Sequence, residues 1–296
     1  MINYNPKDWF TFIFRFHKAD TFRRLLPLLG GICLYSAAIT WIEKQFGWLS
    51  DTHLHNVTVA HSLLGFVISM LLVFRTNTAY DRWWEGRRLW GSLVNNSRNL
   101  AIKLSAMLPQ EAAEHRHYFR VVIPAYAFVL KHHLRQKRVK IDWFDALEDL
   151  RNLPYDKHLP NQLSLLMITR ANLLYKQGLI SGEQLIVLNA ELQSFADICG
   201  GCERIRNTPI PYSYNIFIKK FIFFYTMTLP FGYAFSLGYF VVPVVAFIFY
   251  VLASLELIAE EIEEPFGTDE NDLPAETIAQ GIQRNVEELL TLMDAN

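Results

Sequence analysis

The sequence predicts an all-α membrane protein, with four transmembrane helices and a helical body in the cytosol. Three observations predict it. Uncharged runs of membrane length flank a more polar middle. That middle repeats apolar residues at helical spacing and shows no alternating strand pattern. The mean hydropathy, +0.13, suits a chain shared between bilayer and water. Charged residues make up only 19% of the 296, below the roughly 25% of an ordinary soluble domain. Four buried helices in a soluble protein are the competing arrangement, and the length of the uncharged runs argues against it.

Residues 1–24 read as a cytosolic N-terminal segment carrying Lys7, Arg15, Lys18, Arg23 and Arg24. They lack the short apolar core and cleavage site of a signal peptide, so nothing is expected to be removed. Residues 25–80 hold transmembrane helices one and two, at about 25–42 and 56–80. The uncharged stretches there, LLPLLGGICLYSAAITWI and NVTVAHSLLGFVISMLLVF, approach the roughly 20 residues that cross a bilayer. Arg75 follows the second run almost directly, so helix two is expected to continue out of the membrane as one long helix.

Residues 81–213 form the helical cytosolic region, with periodicity near 111–137, 142–152, 161–178 and 181–198 and a loop between Pro154 and Pro160. Residues 214–258 hold transmembrane helices three and four. From Phe221 to Leu255 there is no Asp, Glu, Lys or Arg. Ser236-Leu237-Gly238-Tyr239 offers a turn in mid-run, while Pro230 and Pro243 are expected to kink helices rather than end them. Residues 259–296 are an acidic cytosolic C-terminal segment. The basic clusters at Arg23/Arg24, Arg82/Arg87/Arg88 and Arg204/Arg206/Lys219/Lys220 all fall on one side, against Lys44 alone in the first external loop. Both termini are therefore expected in the cytoplasm.

A formal charge of −1 excludes the basic excess of a typical nucleic-acid binder. Three cysteines make no disulfide framework. Cys199-Gly-Gly-Cys202 has the spacing of half a zinc site, but no second pair accompanies it, so two ordinary thiols are expected. Neither His115/His117 nor His132/His133 gives a zinc-protease face, and His53 and His55 read as exposed loop residues. There is no Walker loop, GxGxxG or GxSxG. No enzyme activity is expected.

Two stretches carry chemistry. Phe66, Met70 and Phe74 stand at i, i+4 and i+8 on one helix face, with Thr58 and Ser62 above and Thr76, Asn77 and Thr78 below. Such a stripe serves a lipid-facing helix, or a water path interrupted by an apolar constriction if several subunits surround it. The second stretch is acidic: Glu260, Glu261, Glu263 and Glu264, then Pro265-Phe266-Gly267, then Asp269, Glu270 and Asp272. A Gly turn among carboxylates can gather calcium ligands, although the spacing is not that of an EF-hand and also describes a solvated helix end.

FRTNTAYDRWWEGRRLWGSLVNNSRNLA (74–101), GCERIRNTPIPYSY (201–214) and EEIEEPFGTDENDLP (260–274) resemble the bestrophin family, in its bacterial branch. The likeness runs along nearly the whole chain. It implies a homopentameric ion channel of the bacterial inner membrane, with helix two lining one central pore. Its partners would be further copies of itself, membrane lipid and permeant monovalent ions, with no nucleic acid. The family's neck of three apolar rings falls on Phe66, Met70 and Phe74, where Met70 departs from the usual Phe or Ile. Its second constriction, normally aliphatic, falls within a residue of Glu183. The resemblance also implies a calcium clasp at Glu261, Glu264 (through its carbonyl), Asp269 and Asp272, Glu261 standing where the family has an amide. No cofactor is required, with Ca2+ an optional ligand. A Glu183 ring would favour cations, so sodium is expected, with chloride as the alternative. A non-conducting membrane scaffold or signalling protein is the further alternative.

Overall fold

The computed structural model describes residues 21–47, 57–137 and 146–291. His53, His55, Lys7, Arg15 and Lys18 lie outside the described residues. Among the described residues every regular element is helical. By contact the chain divides into two compact units.

The first unit comprises residues through Trp83, with Pro209–Glu264 and Asp269–Asn271. Helix α1 (Thr21–Phe46) carries Pro27 inside it. Helix α2 (Val57–Met107) is a single helix of 51 residues, of which the part up to Trp83 belongs here. Its continuity is as expected, since no Pro follows Arg75 within it and Gly86 and Gly91 are isolated glycines. Helix α7 (Tyr212–Leu237) contains Pro230 and ends at Gly238, whose φ of +54° suits only glycine without strain. A short 3-10 turn, Gly238–Phe240, leads into α8 (Val241–Glu263). The turn thus falls where the sequence placed it. Among the described residues three stretches are long and apolar enough to cross a membrane: Thr21–Phe46, a window within Thr58–Met107, and Tyr212–Glu263, which contains both α7 and α8. The core of the unit joins Leu29 and Ile32 of α1, Ile68 and Leu72 of α2, Ile222 and Leu229 of α7, and Val245 and Phe249 of α8.

The second unit comprises Trp84–Thr208, Pro265–Thr268 and the chain from Asp272. It holds the remainder of α2, then α3 (Ala113–Leu134), α4 (Glu148–Arg151), α5 (Leu159–Lys176), α6 (Gly182–Asn207) and α9 (Ala275–Thr291). Of the helix expected near 142–152, residues 142–145 lie outside the described residues; the described part holds the single turn of α4, in which Leu150 is buried and which ends ahead of Pro154. Pro160 does not close a loop but sits in the first turn of α5, where a missing N–H costs nothing. Its N-cap is His158, whose Nδ1 accepts the Asn161 N–H at 3.2 Å. Trp90, Phe119, Tyr126, Leu163, Met167 and Phe195 form a fully buried core. Helix α9 packs on α3 through Ala275, Ala279, Ile282, Val286 and Leu290, spaced to make one face.

Candidate functional site

Along the first part of α2, His61, Ile68, Leu72, Arg75 and Ala79 are buried. Their spacing of seven, four, three and four residues is a single stripe that faces the rest of the unit. Two residues of helix correspond to about 200° of rotation, so Phe66, Met70 and Phe74 point the other way. They are 67%, 45% and 58% exposed in the single chain. Above them the Ser62 hydroxyl donates to the Thr58 carbonyl at 3.1 Å, and below them Thr78 donates to the Phe74 carbonyl at 2.9 Å. The polar groups flanking the apolar stripe are thereby satisfied within the helix, which needs no partner to hold its backbone.

The buried side of the helix is anchored by groups that sequence reasoning missed. Arg75, taken there as the end of a span, is fully buried. Its Nη2 donates to Glu263 Oε2 at 2.7 Å, and its Nε lies 3.6 Å from Glu256 Oε2. The other oxygen of Glu263 accepts the Ile210 N–H at 2.8 Å, and its carbonyl accepts from Arg82 Nε at 3.0 Å. One glutamate thus ties α2, α8 and the start of α7. Further up, His61 meets Thr228 Oγ1 at 3.0 Å. The only available signal was an arginine abutting an apolar run, with acids at the end of another.

The acidic segment is arranged around an internal cation. Arg24 Nη1 lies 2.5 Å from Glu261 Oε1, and Arg24 Nη2 lies 3.9 Å from Asp269 Oδ1. The remaining Glu261 oxygen accepts from Asn271 Nδ2 at 2.6 Å. Both Glu261 oxygens are therefore engaged, and a guanidinium occupies the space between two of the carboxylates that the resemblance assigns to calcium. Glu264 is exposed and Asp272 is a buried residue of the second unit. Calcium ligation needs free, converging oxygens. As arranged, these residues do not fit a calcium ion, since Arg24 already supplies the positive charge.

Glu183 lies in the first turn of α6, exposed, and its local geometry has a complete explanation. Ser181 caps the helix: its hydroxyl accepts the Gln184 N–H at 3.2 Å, while Gln184 Oε1 accepts the Ser181 N–H at 2.8 Å. A hydrogen bond from Ser181, then one from its own backbone, hold the Glu183 carboxyl below the usual carboxylate range. An acid is favoured there by the helix dipole. Cys199 and Cys202 are buried free thiols, and burial pushes the Cys199 thiol up to about 12.

Comparison with known proteins agrees with this architecture. The profile described as "Bacterial/Fungal Bestrophin protein" matches residues 1–288. A voltage-dependent anion channel-forming protein of Nostoc sp. is 35% identical over 246 residues, covering 80% of either chain. One from Ralstonia nicotianae is 30% identical over 287 residues, covering 95% of this chain and 92% of its own. The crystal structure of a bacterial bestrophin homologue from Klebsiella pneumoniae superposes with a TM-score of 0.83 at 30% identity, over 90% of this chain and 98% of that one. With its motifs, its helical order and its matched length in agreement, the chain belongs to the bacterial/fungal bestrophin family.

Proposed function

We propose that this protein is one subunit of a pentameric anion channel in the bacterial inner membrane. The supporting observation is the family relationship: relatives at 30–35% identity over most of the chain bear the name anion channel-forming. In this reading α1, the first part of α2, α7 and α8 each cross the bilayer, an even number that leaves both termini on one side, and the basic clusters make that side the cytoplasm. The exposed stripe of α2 turns to a central axis, and Phe66, Met70 and Phe74 form the neck. Such rings gate by excluding water from a narrow apolar tube. Phenylalanine edges carry partial positive charge and can meet an anion there. Transport is passive electrodiffusion, with no redox or organic cofactor. The Arg24–Glu261 contact takes the place of calcium.

Sodium selectivity is the preference drawn from Glu183, whose carboxyl the Ser181 hydrogen bond holds below the usual carboxylate range. The relatives' names favour the anion. Reversal potentials of purified protein in planar bilayers, across a sodium chloride gradient, decide between them. We expect reversal near the chloride equilibrium potential, unchanged by Glu183→Gln. Reversal near the sodium potential that collapses in Glu183→Gln would restore the cation reading, and silence of a well-folded oligomer would favour a scaffold.

A further inference from the structure

Within the second unit, three side chains remote in sequence converge on one point. His133 lies in the last turn of α3, His158 caps α5, and Glu203 sits on α6. Both histidine Nε2 atoms lie 2.6 Å from the same oxygen, Glu203 Oε1. The two rings are 4.5 Å apart at their centroids. The ligand atoms lie within 4.8 Å of one another, and the side chains are 25%, 32% and 27% exposed. An ion could therefore reach them. His133 also lines a cavity of about 290 Å³, together with Lys137, Tyr155, Lys157 and Arg206.

We infer that His133, His158 and Glu203 form a three-ligand site for a zinc-class ion, with its fourth position open to water. Two imidazoles and a carboxylate are a donor set that suits zinc, and an open fourth position is common where three protein groups bind it. The neighbouring lysines and Arg206 decide the class of ion. Their charge opposes any cation held by charge alone, so calcium and magnesium, which take oxygen ligands, are excluded. A borderline-soft ion bonds to imidazole nitrogen strongly enough to remain. In the metal-free form His158 Nδ1 accepts the α5 cap bond, which puts its ring proton on Nε2, facing Glu203. Metal binding moves that proton to Nδ1 and gives up the cap bond, at 3.2 Å the longest in the cluster. The occupied site would clamp the end of α3 to the starts of α5 and to α6.

The test uses the full chain in detergent, titrated calorimetrically with zinc chloride, with cobalt chloride as a coloured substitute. His158→Asn is the informative variant, because asparagine still caps a helix while removing the ligand. Glu203→Gln is the second. We expect one zinc per chain, a tetrahedral cobalt absorption band, and a Tm raised by zinc. Both variants should fold, bind at least about tenfold more weakly, and lose the zinc-dependent rise in Tm. Cys199→Ser/Cys202→Ser should bind as the natural chain does. The inference is overturned if the natural chain binds no zinc at millimolar levels, if both ligand variants bind undiminished, or if the cysteine variant abolishes binding. Because the readouts are binding and Tm, failure here leaves the channel reading untouched.

Discussion

Removing the Arg75 guanidinium would leave Glu263 and Glu256 buried together without a cation. Breaking one side of a buried ion pair costs about 3–5 kcal/mol, a large part of a domain's stability. Arg75→Ala should therefore lose most of its folded oligomer in detergent, as read by size-exclusion chromatography and melting, while Arg75→Lys retains a substantial fraction. Arg24 gives the complementary prediction. Calorimetry of the natural chain should show no calcium binding at millimolar concentration, and Arg24→Ala, which takes the guanidinium away from Glu261 and Asp269, should gain it. These two arginines also mark what single residues hide. The sequence shows Arg75 beside an apolar run, where it reads as the point at which the helix leaves the membrane, and Arg24 in a basic cluster, where it reads as a sign of orientation. Their partners stand about 190 and 240 residues further on, so neither pairing is visible in local spacing.

At the scale of elements, two glycines on helix faces make a matched test. A Cβ at Gly201 would meet the methyl groups of Leu89 at 2.9 Å, and a leucine end can rotate away. A Cβ at Gly86 would meet the Pro265 ring at 3.0 Å and the Phe266 ring at 3.2 Å, neither of which has such freedom. Gly86→Ala should therefore destabilise the protein by about 1–3 kcal/mol, and Gly201→Ala by less, since helix propensity offsets part of its crowding. Thermal melts of the two variants compare them directly. Helix α9 supplies a pH-dependent case. The Lys131 ammonium bonded to Glu276 holds that carboxyl below the usual range. Its contribution is present above the unfolded carboxylate pKa, about 4.3, and is lost as pH falls through the lower folded value. Glu276→Gln should flatten the fall in Tm over that acid range, modestly because the carboxylate is half exposed. Element type was readable wherever apolar periodicity ran for several turns, as in α2, α3, α5 and α6. Near 142–152 only the turn Glu148–Arg151 falls within the described residues, and Pro154 follows it closely.

For the whole molecule, the informative surface is the one the single chain leaves uncovered. Phe66, Met70 and Phe74 stay 45–67% exposed within the subunit although Ile68 and Leu72, between them in sequence, are fully buried. If they close the proposed neck, the combined Phe66→Ala, Met70→Ala and Phe74→Ala variant should conduct several-fold more current per channel in planar bilayers, with its oligomeric size unchanged. An unchanged current would mean that these side chains face lipid. The stripe was legible from spacing alone, because one face of a helix repeats every three to four residues. What the stripe faces was not, since lipid and a dry pore select the same apolar side chains. The acidic segment is ambiguous for a related reason: carboxylates gather around an arginine as readily as around a metal ion, and their spacing in sequence is the same for both.

The Arg75–Glu263 contact also has a temporal side. The two residues are separated by 188 positions. At a bacterial ribosome's rate, about 5–20 residues per second, that is a wait of roughly 10–40 seconds. Throughout it the nascent chain carries a guanidinium at the end of its second apolar stretch with no counter-ion yet made. If that helix crosses the bilayer as proposed, the contacts of its buried Arg75 are completed only when the last apolar segment emerges with its glutamates. Final seating of the helix is thus timed by completion of α8, and a polypeptide truncated before Glu256 would present an unneutralised charge by which quality-control proteases could recognise it.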